Sequence, residues 1–222
     1  FHRYPFDGEL VAIDKRDSSQ RLTINHRCLV RRRIGGVAVV EAALLKPGME
    51  ILTTAALRQE SGVGPGEDFA ALLGWYLAEG ERLRGRIIRI NQSLSANPRH
   101  VATIPMLLRR LGAHFEEQVR RRRWRGKPNV MVVFSVTGIV AAKLHEYAPE
   151  KRVNLDWIDW PRSSIEALLN AIIDGDGHRR IDDGRTCVVQ KERAFLDALQ
   201  ILALRLGWCG RVAKRRSGCH VL

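Results

Sequence analysis

The sequence predicts an α+β protein: two similar helix-and-strand units, each with its own sheet, preceded by a small all-β segment. Three observations predict it. Two apolar runs, Leu72-Leu73-Gly74-Trp75-Tyr76-Leu77-Ala78-Glu79-Gly80 and Leu169-Asn170-Ala171-Ile172-Ile173-Asp174-Gly175-Asp176-Gly177, close alike on a carboxylate and a glycine at an offset of 97 residues. Self-similarity at a fixed offset marks a duplicated unit. The residues downstream of each run are also repeated, with Ile90-Asn91-Gln92 echoed by Val188-Val189-Gln190 and Leu111-Gly112 by Leu206-Gly207. Before residue 64 the pattern is different, with short extended stretches between turn signals.

Taken in order, residues 1–63 give candidate strands at Glu9 to Asp14, Arg21 to Ile24, Cys28 to Arg33, Val37 to Ala43 and Glu50 to Thr54. Ser61-Gly62-Val63-Gly64-Pro65-Gly66 is a turning connector. Residues 64–150 form the first unit: the motif helix, a strand at Arg86 to Gln92, a helix from Pro98 to Leu111 stopped by Gly112, a hairpin from His114 to Ser135 and a short helix around Ile139 to Tyr147. Residues 151–222 form the second: a motif helix from Ser163, a strand at Thr186 to Gln190, a helix from Glu192 to Leu206 stopped by Gly207, and a strand at Gly210 to Arg216. The first unit runs 67 residues beyond its motif and the second only 45, so the parent protein is expected to continue past Leu222 with at least one more strand.

Both motif runs carry small residues at i, i+4 and i+8: Ala70, Gly74 and Ala78 in the first, Ala167, Ala171 and Gly175 in the second. Such a stripe lies on one helical face and lets two backbones approach closely. If the two helices pack in parallel, Glu79 and Asp176 meet at the same negative dipole end, which is unfavourable without a cation. Close carboxylates suit a divalent ion that prefers oxygen, Mg²⁺ or Mn²⁺. Gly80 and Gly177 fit the position after a helix that requires φ > 0.

These motifs resemble the LAGLIDADG, or dodecapeptide, homing endonucleases in their single-chain, two-repeat form. Ile173-Asp174-Gly175-Asp176-Gly177 is close to the family pattern, whereas the first motif has Leu77 and Glu79 where the pattern carries Asp. The resemblance implies two pseudo-symmetric αββαββα units forming a DNA-binding saddle. It implies metal ions at Glu79 and Asp176, with Gly80 and Gly177 beside them, and hydrolysis of both strands of double-stranded DNA. It further implies that Gln92 and Gln190 stand near metal-bound water. Lys151, placed like a lysine of intein endonucleases, would stabilise charge on the scissile phosphate. A single chain with both motifs is expected to act as a monomer with internal pseudo-two-fold symmetry.

Charge agrees with a polyanionic partner. With 37 Lys+Arg against 24 Asp+Glu, the formal charge is +13 and the sequence pI about 10.4. No apolar run reaches membrane-span length and no signal peptide opens the sequence, so the chain is expected to be soluble, intracellular and without a membrane partner. The four cysteines, Cys28, Cys187, Cys209 and Cys219, lack metal-finger spacing and read as free thiols or core residues. The expected DNA contacts are the hairpin run Arg120, Arg121, Arg122, Arg123, Arg125 and Lys127, the first-strand Arg84, Arg86 and Arg89, and the late Arg211, Lys214, Arg215 and Arg216.

The N-terminal segment carries Leu22-Thr23-Ile24-Asn25-His26-Arg27-Cys28, which resembles the Thr-x-x-His block of intein and other Hint domains; Leu44-Leu45-Lys46-Pro47-Gly48-Met49-Glu50 resembles the next stretch of that domain. In that family Thr and His polarise the upstream splice-junction amide, here Thr23 and His26. Phe1 is not the expected nucleophile, and splicing by this chain alone is not expected. Three other readings remain at this point. They are an RNA maturase, a non-cleaving DNA-binding protein of the same fold, and an autoprocessing Hint protein with an inert nuclease.

Overall fold

The computed structural model describes residues 5–14, 19–32, 36–52, 62–84, 87–124, 126–179, 185–214 and 219–222. The N-terminal part holds β1 (Leu10–Asp14), β2 (Ser19–Thr23), β3 (Arg27–Arg31), β4 (Val37–Glu41) and β5 (Glu50–Ile51). β1 and β2 form a two-stranded antiparallel hairpin, and a three-stranded sheet runs in the order β4-β3-β5. Alternation places Cys28 and Val30 inward, where with Ala42 they form a small core separate from the main one. The fourth strand ends at Glu41 instead of reaching Ala43, because Ala42–Leu44 winds into a short 3₁₀ turn.

The first unit is α1 (Glu67–Glu79), β6 (Gly80–Arg82), β7 (Ile88–Ser93), α2 (Pro98–Arg110), β8 (His114–Trp124), β9 (Lys127–Thr137) and α3 (Gly138–Tyr147), an αββαββα order. The second is α4 (Arg162–Asp176), β10 (Gly177–Arg179), β11 (Thr186–Gln190), α5 (Arg193–Arg205), β12 (Ala213–Lys214) and β13 (His220–Val221). Their sheets have matching antiparallel topologies, β6-β7-β9-β8 and β10-β11-β13-β12. The second sheet therefore already holds counterparts of all four strands. Among the described residues, β12 and β13 span two residues each against eleven for β8 and β9. Of the expected strand at Gly210 to Arg216, Ala213–Lys214 is formed, and Arg215 and Arg216 lie outside the described residues.

α1 and α4 pack directly against each other in parallel. A Cβ on Gly74 would stand 2.5 Å from the Leu168 carbonyl oxygen and 2.7 Å from the Ala171 Cβ; one on Gly175 would stand 2.6 Å from the Ala78 Cβ. The two contacts keep the 97-residue register of the repeat. Apolar positions away from this seam, including Leu72, Leu73, Ile165, Leu168 and Ile172, enter one core that continues through both units. Between the units, Trp157 and Trp160 stack at 4.8 Å, Trp160 meets Tyr147 edge-on, and Tyr147 meets Phe69 of α1. This aromatic chain ties the connector to the first unit. Beside it, the Arg205 side chain, itself buried, donates through Nε to the Ile158 carbonyl.

Candidate active site

Parallel packing at that register brings the last residues of the two motif helices together. Glu79 ends α1 and Asp176 ends α4, and each chain leaves its helix directly into a strand. Direct entry into the strand corrects the expectation of a left-handed cap: Gly80 has φ −86° and ψ 153°, Gly177 has φ −116° and ψ −173°, both extended. Glycine is required there by crowding. A Cβ at Gly177 would lie 2.6 Å from the carbonyl oxygens of Cys187 and Ile173, and one at Gly80 would strike the Tyr76 carbonyl and ring.

The two carboxylates share a largely buried site. Burial first, then the Asp176 charge, raises the Glu79 carboxyl to about 7, against the opposing effects of Lys151 and the Gln92 side chain. Burial likewise lifts Asp176 to about 6, while Lys151 and a hydrogen bond from Gln190 favour its charged form. Gln190 Nε2 donates to Asp176 Oδ2. On the other side, Gln92 Oε1 accepts from the Ser93 amide at 3.0 Å and from Asn97 Nδ2 at 3.2 Å. Those bonds turn Nε2 toward Glu79. The Gln92 side chain is only 2 % exposed, yet Nε2 has no hydrogen-bond partner of good geometry, so a buried donor stands ready beside the carboxylate.

Lys151 reaches this site from the loop after α3. Its backbone is left-handed, φ 53°, a conformation unfavourable for a side chain of this size and often associated with functional sites. Nζ donates to the Gly80 carbonyl and lies 5.8 Å from the centroid of the Tyr76 ring. Burial lowers its pKa; Asp176, Glu79 and Glu81 act the other way. Tyr76, fully buried beneath Lys151, is not among the residues the sequence singles out, although its place three residues before Glu79 on the same helix could have marked it.

Five sequence-predicted residues, Glu79, Asp176, Gln92, Gln190 and Lys151, thus converge. The predicted arginines are dispersed. Arg84 is exposed in the loop after β6; Arg89 projects from β7 and pairs with Glu81 at 3.8 Å. Along β8, Arg120 is half-buried whereas Arg121 and Arg123 are exposed. Arg211 and Lys214 are exposed near the end of the chain. Arg86, Arg125 and Arg215, with the side chains of Arg122 and Lys127, lie outside the described residues. Thr23 and His26 meet in the turn after β2, where the His26 amide donates to the Thr23 carbonyl at 3.0 Å. The His26 side chain is exposed. The four cysteines are free thiols, as expected, with Cys28 alone in a core.

Two carboxylates with a half-buried lysine and two carboxamides suit a hard, oxygen-seeking divalent ion and an anionic ester. Among the described residues no cluster of three or more His, Cys, Asp or Glu side chains offers a metal site. Remaining oxygen ligands would have to come from backbone carbonyls, water or substrate. No described helix is long and apolar enough to cross a membrane.

Residues 163–221 match the family described as LAGLIDADG-like domain. No curated protein matches the chain in sequence. Among solved structures, the chain is similar to the homing endonuclease I-DmoI in complex with DNA and Mn, at 15 % identity and TM-score 0.49, over 70 % of this chain and 87 % of that one. It is similar to the N-terminal LAGLIDADG domain of DUF199/WhiA at 12 % identity and TM-score 0.49, over 70 % and 73 %. The homing endonuclease I-WcaI bound to its DNA recognition sequence matches at 11 % identity and TM-score 0.48, over 70 % and 74 %.

Proposed function

We propose that the chain is a LAGLIDADG-type endonuclease that cleaves double-stranded DNA by hydrolysis with Mg²⁺ or Mn²⁺. The observation that carries this reading is the meeting of Glu79 and Asp176 at one end of a closely packed parallel helix pair, with Lys151 and a glutamine on each side. The family match over the second unit and the +13 charge support it.

The residues present fit a divalent ion. Burial raises both carboxyls, Glu79 to about 7 with the Asp176 charge adding to it and Asp176 to about 6, so near neutrality Glu79 holds a proton part of the time unless a cation replaces it. Glu79 and Asp176 would hold the ion, with Gly177 and Gly80 contributing carbonyl oxygens where Lys151 does not already occupy them. Bound there, a divalent ion would activate water and stabilise the leaving oxygen. The protein's own groups do the positioning. Lys151 offers its ammonium to the phosphate charge, Gln190 fixes the Asp176 carboxylate, and Gln92 offers Nε2 to a water or phosphate oxygen.

Both carboxylates come from one chain, which supports a monomer with internal pseudo-two-fold symmetry. We place the unit boundaries at 1–63, 64–150 and 151–222. Residues 1–63 are read as part of a Hint domain, with Thr23 and His26 as its block and the nuclease as the companion of an intein, in an intracellular protein. The separate β core supports that division.

Incubation with a plasmid library carrying randomised inserts, with and without Mg²⁺, tests the proposed activity. Metal-dependent double-strand ends at one recurrent sequence are expected. Retention of duplex without cleavage under any divalent ion would favour a binding protein, and preference for structured RNA a maturase.

A further inference from the structure

We infer that Arg120, oriented by Gln118, reads a guanine in the half of the DNA target that faces the first sheet. The inference rests on the proposed DNA-binding function. Strand register sorts the side chains of this sheet onto two faces. Ile88, Ile90, Gln92, Val132, Phe134 and Val136 are buried on one. Arg89, Asn91, Ser135, Val133, Gln118 and Arg120 project from the other. Arg121 and Arg123 fall on the first face, at its β8 edge, so consecutive arginines of the hairpin do not address the same surface.

Arg120 differs from its neighbours in two further ways. It is half-buried, beside a depression of about 200 Å³ lined by Glu81, Asn91, Arg120, Met131 and Val133. Its Nε donates to Gln118 Oε1 at 2.9 Å, from a residue two positions earlier on the same face. That bond fixes the guanidinium plane and leaves Nη1 and Nη2 as a free fork among the described residues. A phosphate accepts such a fork as well, but without regard to sequence. A fork held in one plane matches the paired acceptors O6 and N7 of guanine, in a groove wide enough for a β-ribbon. In the second sheet the row equivalent to Asn91, Val133 and Gln118 is Val189, Val221 and Ala213, which carries no hydrogen-bonding side chain.

The test is selection of bound duplexes from a randomised pool by the full chain without divalent metal, repeated with Arg120→Ala, Arg120→Lys, Gln118→Leu and Arg121→Ala. The wild type should enrich a sequence with one guanine that Arg120→Ala no longer prefers, a loss of roughly 5- to 150-fold in discrimination at that base pair alone. Arg120→Lys should keep affinity for unselected duplex and still lose the guanine; Gln118→Leu should weaken the preference at the same position; Arg121→Ala should leave the sequence unchanged. Equal loss of affinity for all sequences in Arg120→Ala, with every preference intact, would make Arg120 a phosphate contact and overturn the inference while leaving DNA binding in place. If the wild type retained no duplex at all, the DNA-binding reading itself would fail.

Discussion

Glu79 and Asp176 are ionisable groups whose environment opposes their charge, and that makes their protonation a reporter of the site. Folding moves Glu79 from an ordinary 4.5 to about 7 and Asp176 from 3.8 to about 6. The folded protein thus binds more protons than the unfolded chain in that interval. The pair's contribution to stability is present in full below the unfolded values and is lost as pH rises through the folded ones. For the metal-free protein, urea titrations from pH 4 to pH 8 should show this loss, and Glu79→Gln should flatten it and raise stability at pH 8. Identical pH dependence in the two proteins would contradict the assignment. Added Mg²⁺ should restore wild-type stability near pH 8 in proportion to its saturation and should do little for Glu79→Gln. Either Glu79→Gln or Asp176→Asn should abolish double-strand cleavage while leaving DNA affinity within a few fold. The two carboxylates are legible in residue types and spacing, because they close both repeated motifs at one offset, whereas Gln92, Gln190 and Lys151 are suggested only by the family resemblance. Tyr76 and Gln118 are not, since their significance comes from the groups that lie over or beside them in the fold.

At the scale of elements, the seam between α1 and α4 is the joint that sets the carboxylate separation. Gly74→Ala brings a helix-propensity gain of about 1 kcal/mol. Against it stands a Cβ placed 2.5 Å from the Leu168 carbonyl and 2.7 Å from the Ala171 Cβ, both on a rigid neighbouring helix. Overpacking costs typically about 1–3 kcal/mol. The clash is expected to win, with net destabilisation of up to about 2 kcal/mol and a fall in Tm of up to roughly 8 °C. Calorimetry checks it, and a more stable Gly74→Ala protein would mean the helices are free to separate. The small-residue stripe predicts this seam from sequence because helical spacing is a local property. The helix ends mislead for the same reason: Gly80 and Gly177 look like left-handed caps in isolation. They are governed instead by the turn into β6 and β10, where only the crowding of Tyr76, Ile173 and Cys187 demands glycine. Those three-residue strands escape a sequence reading because they are too short to show alternation. The longer hairpin of β8 and β9, eleven residues in each strand, is plain.

Across the whole molecule, the excess of positive charge and the two sheets define how DNA would be engaged. Log affinity should fall steeply with log salt, since each neutralised phosphate releases counterions with a slope of about −0.9. Replacing Arg121 and Arg123 together with alanine should reduce that slope by about two units if both meet phosphates. An unchanged slope would set their face of the hairpin away from the backbone. The N-terminal β segment has its own small core, so His26→Ala should leave cleavage intact; loss of cleavage in a folded His26→Ala protein would make the segment part of the nuclease. The central claim is that Glu79 and Asp176 together form one metal-dependent cutting site for duplex DNA. Its most direct test is cleavage of the selected duplex by wild type, Glu79→Gln and Asp176→Asn at equal bound fractions in Mg²⁺. The structure predicts cutting of both strands by the wild type and intact duplex with either variant. Full cleavage by both variants would contradict it.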